Sequence, residues 1–437
     1  MVETGQKMEE SKGPVSFLDP ALRPVWKTVL LKWARTVLML CVFILCVLSL
    51  YWAVQFNVEK NIPALKVWVV DFDDAQDALV GPAVTDLAEK IIAADNGDLG
   101  YTVKPASEFN NDPIAVRQAV YDEHCWAAIV VNADATRLLR DAVTTGNDSY
   151  DPSDAAQFII LSARDQTTVS SYITPSFNAF ELQLRSEFGP QWVRSLAQQS
   201  ANLTRVPQAV NPAVGFTTLD LRPFAPAVAT PSVTIGLIYL IILSFFSFPF
   251  LMPIHATLLH GNHPPLKIPQ WILWRLLSSI AAYFFMSLFY SFVSLAFQIP
   301  FSNAPAPDTI SAENPNAYGR GSFVVFWMLN WVGMAALGLP CENMAMVLGP
   351  FSPLWLIFWV ICNVSTGFYA LDLAPGFFKW GYAWPLHRIV EALRTILFGT
   401  HSRIGLDFGI LFAWVAVSLA FFPVATFVMR WRMKRGW

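Results

Sequence analysis

Residues 37–54, VLMLCVFILCVLSLYWAV, carry no charge, and as a helix rising about 1.5 Å per residue they nearly cover a hydrocarbon core of about 30 Å. Five further apolar runs crowd the second half of the chain, at 234–252, 272–297, 322–339, 354–371 and 408–428, with Arg275 the one charge inside them. The pattern predicts an α-helical polytopic membrane protein with six transmembrane helices, one before and five after a long polar stretch. Within that stretch the periodicity changes. LKVWVV at 65–70 and WAAIVV at 126–131 read as buried strands, with a shorter strand near 101–103. Helical spacing runs through 82–92, 113–121, 135–143 and 176–188, and Gly189-Pro190 is expected to interrupt the last of these. Strands alternating with helices predict an α/β domain, and Pro207, Pro212, Pro223, Pro226 and Pro231 then predict an extended connector back to the membrane.

One segment fits neither pattern. In PLHRIVEALRTILF, 385–398, a proline starts a helix that places Leu386, Ile389, Val390, Leu393, Ile396 and Leu397 on one face. His387, Arg388, Glu391 and Arg394 take the other face, where they would meet lipid headgroups or a partner helix at the membrane surface. Inside the apolar runs the deep polar residues are the uncharged Asn330 and Asn363, which would line a pathway or hydrogen-bond between helices. Arg275 and Glu342 fall near run ends and are expected to snorkel or sit at the interface, leaving no deep carboxylate for proton coupling.

Charge supplies orientation. Arg23, Lys27, Lys32 and Arg35 precede the first run, and Arg430, Arg432, Lys434 and Arg435 follow the last. By the positive-inside rule both flanks face the cytosol, as six spans require. The domains are then a cytosolic tail at 1–36, the first span at 37–54, an extracytoplasmic α/β domain and connector at 55–230, a five-helix domain at 231–429 and a basic cytosolic tail at 430–437. Residues 55–230 hold 12 Lys+Arg against 22 Asp+Glu, whereas the remainder is basic. The sequons at Asn147 and Asn202 lie in this acidic segment and are candidate N-glycosylation sites, while Asn363-Val-Ser365 lies inside a run and reads as accidental. The composition agrees with this layout, since 14% of the chain is charged against roughly 25% in soluble domains.

Candidate chemistry is sparse. P-loop, G-x-S-x-G, H-E-x-x-H and C-x-x-C motifs are missing, so no catalytic, cofactor-binding or metal-binding residue is assigned and the chain is not expected to be an enzyme. Asp71, Asp73, Asp74 and Asp77 match no complete calcium loop, because Gln76 and Pro82 stand where glycine and glutamate belong, and are expected to form a solvated turn. His255, His260 and His263 lack a clear fourth ligand and read as solvated interfacial histidines. The five cysteines are expected to pack, and no basic patch suggests nucleic acid.

LKVWVVDFDDA, WAAIVVNADAT, NPAVGFTTLDLRPFAP and YAWPLHRIVEALRTILFG, in this order, resemble the fungal nitrosoguanidine-resistance membrane proteins from about residue 20 to the end. The one-plus-five layout is similar to type-2 ABC permeases and to phage-infection-protein-like membrane proteins. The resemblance implies residence in the plasma membrane, export of or resistance to toxic compounds, and a link to lipid distribution. Without its own ATPase, such a protein would work with membrane lipids, as a homo-oligomer, or with a separate ATPase docked on the short turn at 253–270. The alternative is a sensor or scaffold that regulates other transporters. A water-accessible groove lined by Asn330 and Asn363 favours transport, whereas a bundle filled with Phe and Leu favours the scaffold.

Overall fold

The computed structural model describes residues 16–17, 19–75, 77–197, 205–260, 262–301 and 321–435. The chain divides into two units, 1–50 and 51–437. The first contains most of α1 (Arg23–Ala53), whose Leu31, Leu38 and Leu45 are exposed, as lipid-facing side chains would be. The helix begins well before residue 37 because Lys27, Lys32 and Arg35 are good helix formers and need not leave the helix to reach water. Cys41 and Cys46, expected to pack, are exposed here, whereas Cys125, Cys341 and Cys362 are buried.

The second unit opens with the α/β domain. Its elements are β1 (Lys66–Asp71), α2 (Val80–Ala94), β2 (Gly100–Pro105), α3 (Pro113–Tyr121), β3 (Ala127–Val131), α4 (Ala135–Thr145), β4 (Ala156–Ile160), α5 (Thr174–Leu196) and β5 (Phe216–Asp220). The sheet order is β2-β1-β3-β4-β5, parallel throughout except between β3 and β4. All five residues of β3 are buried, so a continuous apolar run marks the strand covered on both faces. One face packs Val67, Val69 and Ile129 under α2, α4 and α5, and the other packs Val70, Ala128 and Val130 under α3.

Three expectations fail in this domain. The helix α5 runs through Gly189-Pro190 for 23 residues, because Trp192 and Leu196 extend the buried stripe of Phe177, Phe180, Leu184 and Phe188. Burying two more large side chains offsets the roughly 3 kcal/mol that an interior proline costs. The connector is not simply extended either, since it supplies the edge strand β5, with Phe216 stacked on Phe158 at 4.2 Å between centroids. Finally, Asp73 is not part of a solvated turn. It is buried, accepts hydrogen bonds from the Thr136 backbone N–H (3.1 Å) and hydroxyl, and so ties the end of β1 to the start of α4.

The remainder is helical: α6 (Ile238–Ala256), α7 (Ile268–Ala296), α8 (Ser322–Leu348), α9 (Ser352–Gly367), α10 (Pro385–Phe398) and α11 (Ile404–Lys434). Among the described residues, five helical stretches are long and apolar enough to cross a membrane: Arg23–Ala64, Ala227–Ala256, Ile268–Ala296, Ser322–Gly367 and Ile404–Lys434. The fourth stretch joins α8 to α9 through Gly349, whose φ of +57° favours glycine and whose Cβ position lies 2.0 Å from an Arg432 nitrogen. Alone, the 16 residues of α9 reach about 24 Å, short of a full hydrocarbon core. At the centre is α8, packed against α6, α7, α9, α10 and α11. Small residues make this close approach possible, since a Cβ on Gly338 would lie 2.6 Å from both Ser244 Cβ and the Tyr283 hydroxyl.

Candidate functional site

The helix α10 has 14 residues and reaches about 21 Å, too short to span a bilayer. Both ends are held. At its start the Leu386 N–H donates to Asn363 Oδ1 of α9 at 3.1 Å. At its end Gly399 adopts φ +68°, and its carbonyl accepts from the Tyr121 hydroxyl (3.1 Å) and Arg222 Nε (3.2 Å) of the α/β domain. Leu386, Ile389, Val390, Leu393, Ile396 and Leu397 bury in the helical core, as their spacing predicts.

The polar face, expected to meet lipid headgroups or a partner helix, lies at a junction with the α/β domain, where His387, Arg388, Glu391 and Arg394 line a shared cavity. Arg394 bridges Asp165 at 2.9 Å and Glu391 at 3.1 Å, and Arg388 pairs with Asp407 at 3.2 Å while donating to the Tyr382 carbonyl at 2.6 Å. Charges withdrawn from water need such partners, which explains why the carboxylates cluster here.

The junction encloses a chamber of about 290 Å³ whose walls include Trp126, Arg164, Asp372, Tyr382, His387 and Glu391. Asp372 accepts from Trp126 Nε1 (3.0 Å) and from the Tyr382 hydroxyl (3.2 Å). The Arg164 guanidinium lies 3.8 Å from the Trp126 ring centroid and donates to the Cys125 carbonyl at 2.9 Å. Burial pushes the Tyr382 hydroxyl up to about 12, with Asp372 adding to the shift. Burial also raises the Glu391 carboxyl, but Arg394, then His387, Arg164 and Arg388, bring it below its ordinary value. His387 is lowered, chiefly by burial, and a neutral ring donating from Nδ1 to the Thr366 carbonyl at 3.0 Å leaves Nε2 as an acceptor.

The His387 shift fixes a pH dependence. A histidine depressed in the folded state protonates more readily when unfolded, so its contribution is complete above the ordinary value near 6.5 and declines as pH falls toward the lowered one. Thermal midpoints taken from pH 7.5 down to 5.5 are expected to drop for the wild type and to drop less for His387→Gln. Equal slopes would exclude His387 as the source.

The remaining sequence candidates sort as follows. Asn330 donates to the Ser291 hydroxyl at 3.0 Å and Asn363 to the Trp359 carbonyl of its own helix at 2.9 Å; both are fully buried. Asn147 is exposed just beyond α4, while Asn202 lies outside the described residues. The histidines do not converge on a solvated cluster: His255 is buried and accepts from Trp274 at Nδ1 (3.2 Å), whereas the exposed His263 bonds locally to Thr257 and Pro264. Arg275 and Glu342 do not snorkel. They form a buried ion pair between α7 and α8, the side chains 1% and 3% exposed. A second cavity, an apolar groove of about 440 Å³, opens between 228–243 and α7 and is lined by Val228, Tyr239, Leu243, Tyr290 and Val293. Beside it the hydroxyls of Ser232 and Ser294 are 3.0 Å apart.

Residues 36–420 match the family described as "Protein of unknown function (DUF3533)". The chain belongs to the DUF3533 family. It is also 26% identical, over 93% of its length and 82% of the relative's, to an "Uncharacterized endoplasmic reticulum membrane protein", YJR015W, of Saccharomyces cerevisiae. No solved structure matches it. Together with the long apolar helices, these similarities make this DUF3533 protein a helical, multi-pass membrane protein.

Sequence reasoning found the polar face of α10 in this DUF3533 chain but missed Asp165, Arg164, Trp126 and Asp372, which complete the chamber. Asp165 pairs across 229 residues of sequence and Trp126 across 246, distances at which periodicity carries no signal. Tyr382 comes from the short helical segment Gly376–Ala383 that leads into α10.

Proposed function

We propose that this protein handles amphipathic molecules in the membrane, as a permease-like exporter or resistance factor that also affects lipid distribution and lacks its own ATPase. The observation that carries this reading is the apolar groove beside α7. Its volume of about 440 Å³ suits an acyl chain or a hydrophobic drug, and the Ser232 and Ser294 hydroxyls beside it suit a polar end. The nitrosoguanidine-resistance resemblance supports the same reading. The flanking cations support six spans, α8 and α9 counted separately, with both termini cytosolic and the α/β domain extracytoplasmic. The yeast relative's name favours the endoplasmic reticulum over the plasma membrane. In either membrane the α/β domain faces away from the cytosol, where Asn147 is accessible for glycosylation. A separate ATPase docked at 253–270, or a second copy of the chain, supplies the driving element.

A second reading is a regulator or scaffold for other transporters, and the closed packing of Asn330 and Asn363 favours it, since neither lines a polar path. One experiment separates the two. Deletion cells and cells carrying Leu243→Trp, which fills the groove, are compared with wild type for uptake of a fluorescent phospholipid and a lipophilic cation. The transport reading expects both to retain several-fold more probe, and the purified wild-type chain to move the lipid in vesicles. An inert purified chain with a cellular phenotype leaves the regulator, and unchanged deletion cells exclude both.

A further inference from the structure

The chamber beneath α10 contains more ionic groups than its internal pairs consume. Arg394 is occupied by Asp165 and Glu391, Arg388 by Asp407, and Arg403 by Glu123 at 3.0 Å. Two wall residues stand outside this accounting. Arg164 has no carboxylate within ion-pair distance among the described residues; its guanidinium rests on Trp126 and spends one donor on a backbone carbonyl. Asp372 has no cation within that distance among the described residues, and its two oxygens are oriented by Trp126 and Tyr382. Trp126 therefore touches both, through its ring face on one side and its N–H on the other. The result is one fixed cation and one fixed carboxylate, separated by an indole and opening on the same chamber.

We infer that the chamber binds a small zwitterion, a phosphate joined by a short linker to a primary ammonium, with the phosphate on Arg164 and the ammonium on Asp372. The fork of a guanidinium matches a phosphate's oxygens, and stacking on Trp126 fixes its plane in advance, which limits the entropy lost on binding. A carboxylate whose oxygens already take two neutral donors still has lone pairs for an ammonium. A volume of about 290 Å³ accommodates a phosphoethanolamine-sized group and excludes a folded peptide. In a phosphodiester headgroup the two charges cancel, matching a wall on which one charge of each sign has no ion-pair contact among the described residues, and the free monoester carries up to about one further negative charge at neutral pH. The same chemistry occurs free in solution and as a phospholipid headgroup. This inference is independent of whether the chain transports.

The test uses the full-length chain purified into phosphatidylcholine nanodiscs and titrated calorimetrically with O-phosphoethanolamine. Saturable binding is expected, with inorganic phosphate or ethanolamine alone at least tenfold weaker. Arg164→Gln and Asp372→Asn are each expected to weaken it at least tenfold, and Arg164→Lys, which keeps the charge but loses the planar fork and its stacking on Trp126, to weaken it by a smaller factor than Arg164→Gln. Size-exclusion profiles confirm that the variants fold. Discs containing phosphatidylethanolamine distinguish the sources: loss of the titration heat identifies the lipid headgroup, and an unchanged heat identifies the free compound. No saturable binding in phosphatidylcholine discs, or binding untouched by both Arg164→Gln and Asp372→Asn, overturns the inference.

Discussion

Glu342→Ala is expected to destabilise the protein by about 3–5 kcal/mol, read as a large drop in thermal midpoint in detergent. The reason is the charge left behind. Arg275 is fully buried, ringed by Trp271, Phe248 and Phe422 at 5.0, 5.5 and 5.1 Å from their centroids, and donates to Glu342 and to the Met346 sulfur. Ser279 completes the site by donating to the other Glu342 oxygen at 2.9 Å. With the carboxylate gone, the guanidinium keeps only a thioether and ring faces, and no water reaches it. The double variant Arg275→Met/Glu342→Leu, which removes both charges and keeps the volume, is expected to recover most of the loss. A Glu342→Ala cost below about 1 kcal/mol would mean that solvent or lipid headgroups reach the pair, contrary to its burial.

Asp165→Ala is the second large effect, at about 2–4 kcal/mol. One of its oxygens accepts the Thr168 N–H at 2.7 Å and caps the turn that leads into α5; the other receives Arg394 at 2.9 Å from α10. The substitution removes a cap and strips a buried arginine of one of its two carboxylates. Hydrogen exchange should rise along α10 and along 166–173 together. Asp165→Ala, Arg394→Met and the double variant form a cycle whose coupling is expected at about 1–3 kcal/mol. Additive effects would show that the contact does not join the two parts energetically.

The parts of this fold legible in the sequence share a physical cause: each is specified by neighbours a few residues apart. The bounds of α3, 113–121, and α10, 385–398, coincide with the predicted ones because a proline at the first helical position and a dense amphipathic repeat are both local. The strand β3 was legible because burial on both faces leaves an unbroken apolar run. What failed was long-range. The run 322–339 stops before Pro340 and Glu342, yet α8 continues to Leu348 because Arg275, 67 residues earlier, compensates the glutamate. Without that partner a charge at this position reads as the end of a span. Similarly, the polar face of α10 was expected to meet lipid headgroups or a partner helix, since nothing near it in sequence reveals that Asp165 and Glu123 approach from loops of the α/β domain. The proline-rich connector hid β5 because an edge strand, Phe216–Asp220, needs only one bonded neighbour and little apolar pattern.

The attachment of α10 at both ends has a mechanical consequence. Its first turn is tied to α9 by Asn363, and the Gly399 carbonyl just past its last turn is gripped by Tyr121 at the end of α3 and Arg222 just past β5. A rigid rod fastened at each tip transmits tilt rather than absorbing it. Any rocking of the α/β domain is therefore delivered as torque to α9, through two hydrogen bonds at one coupling and one at the other.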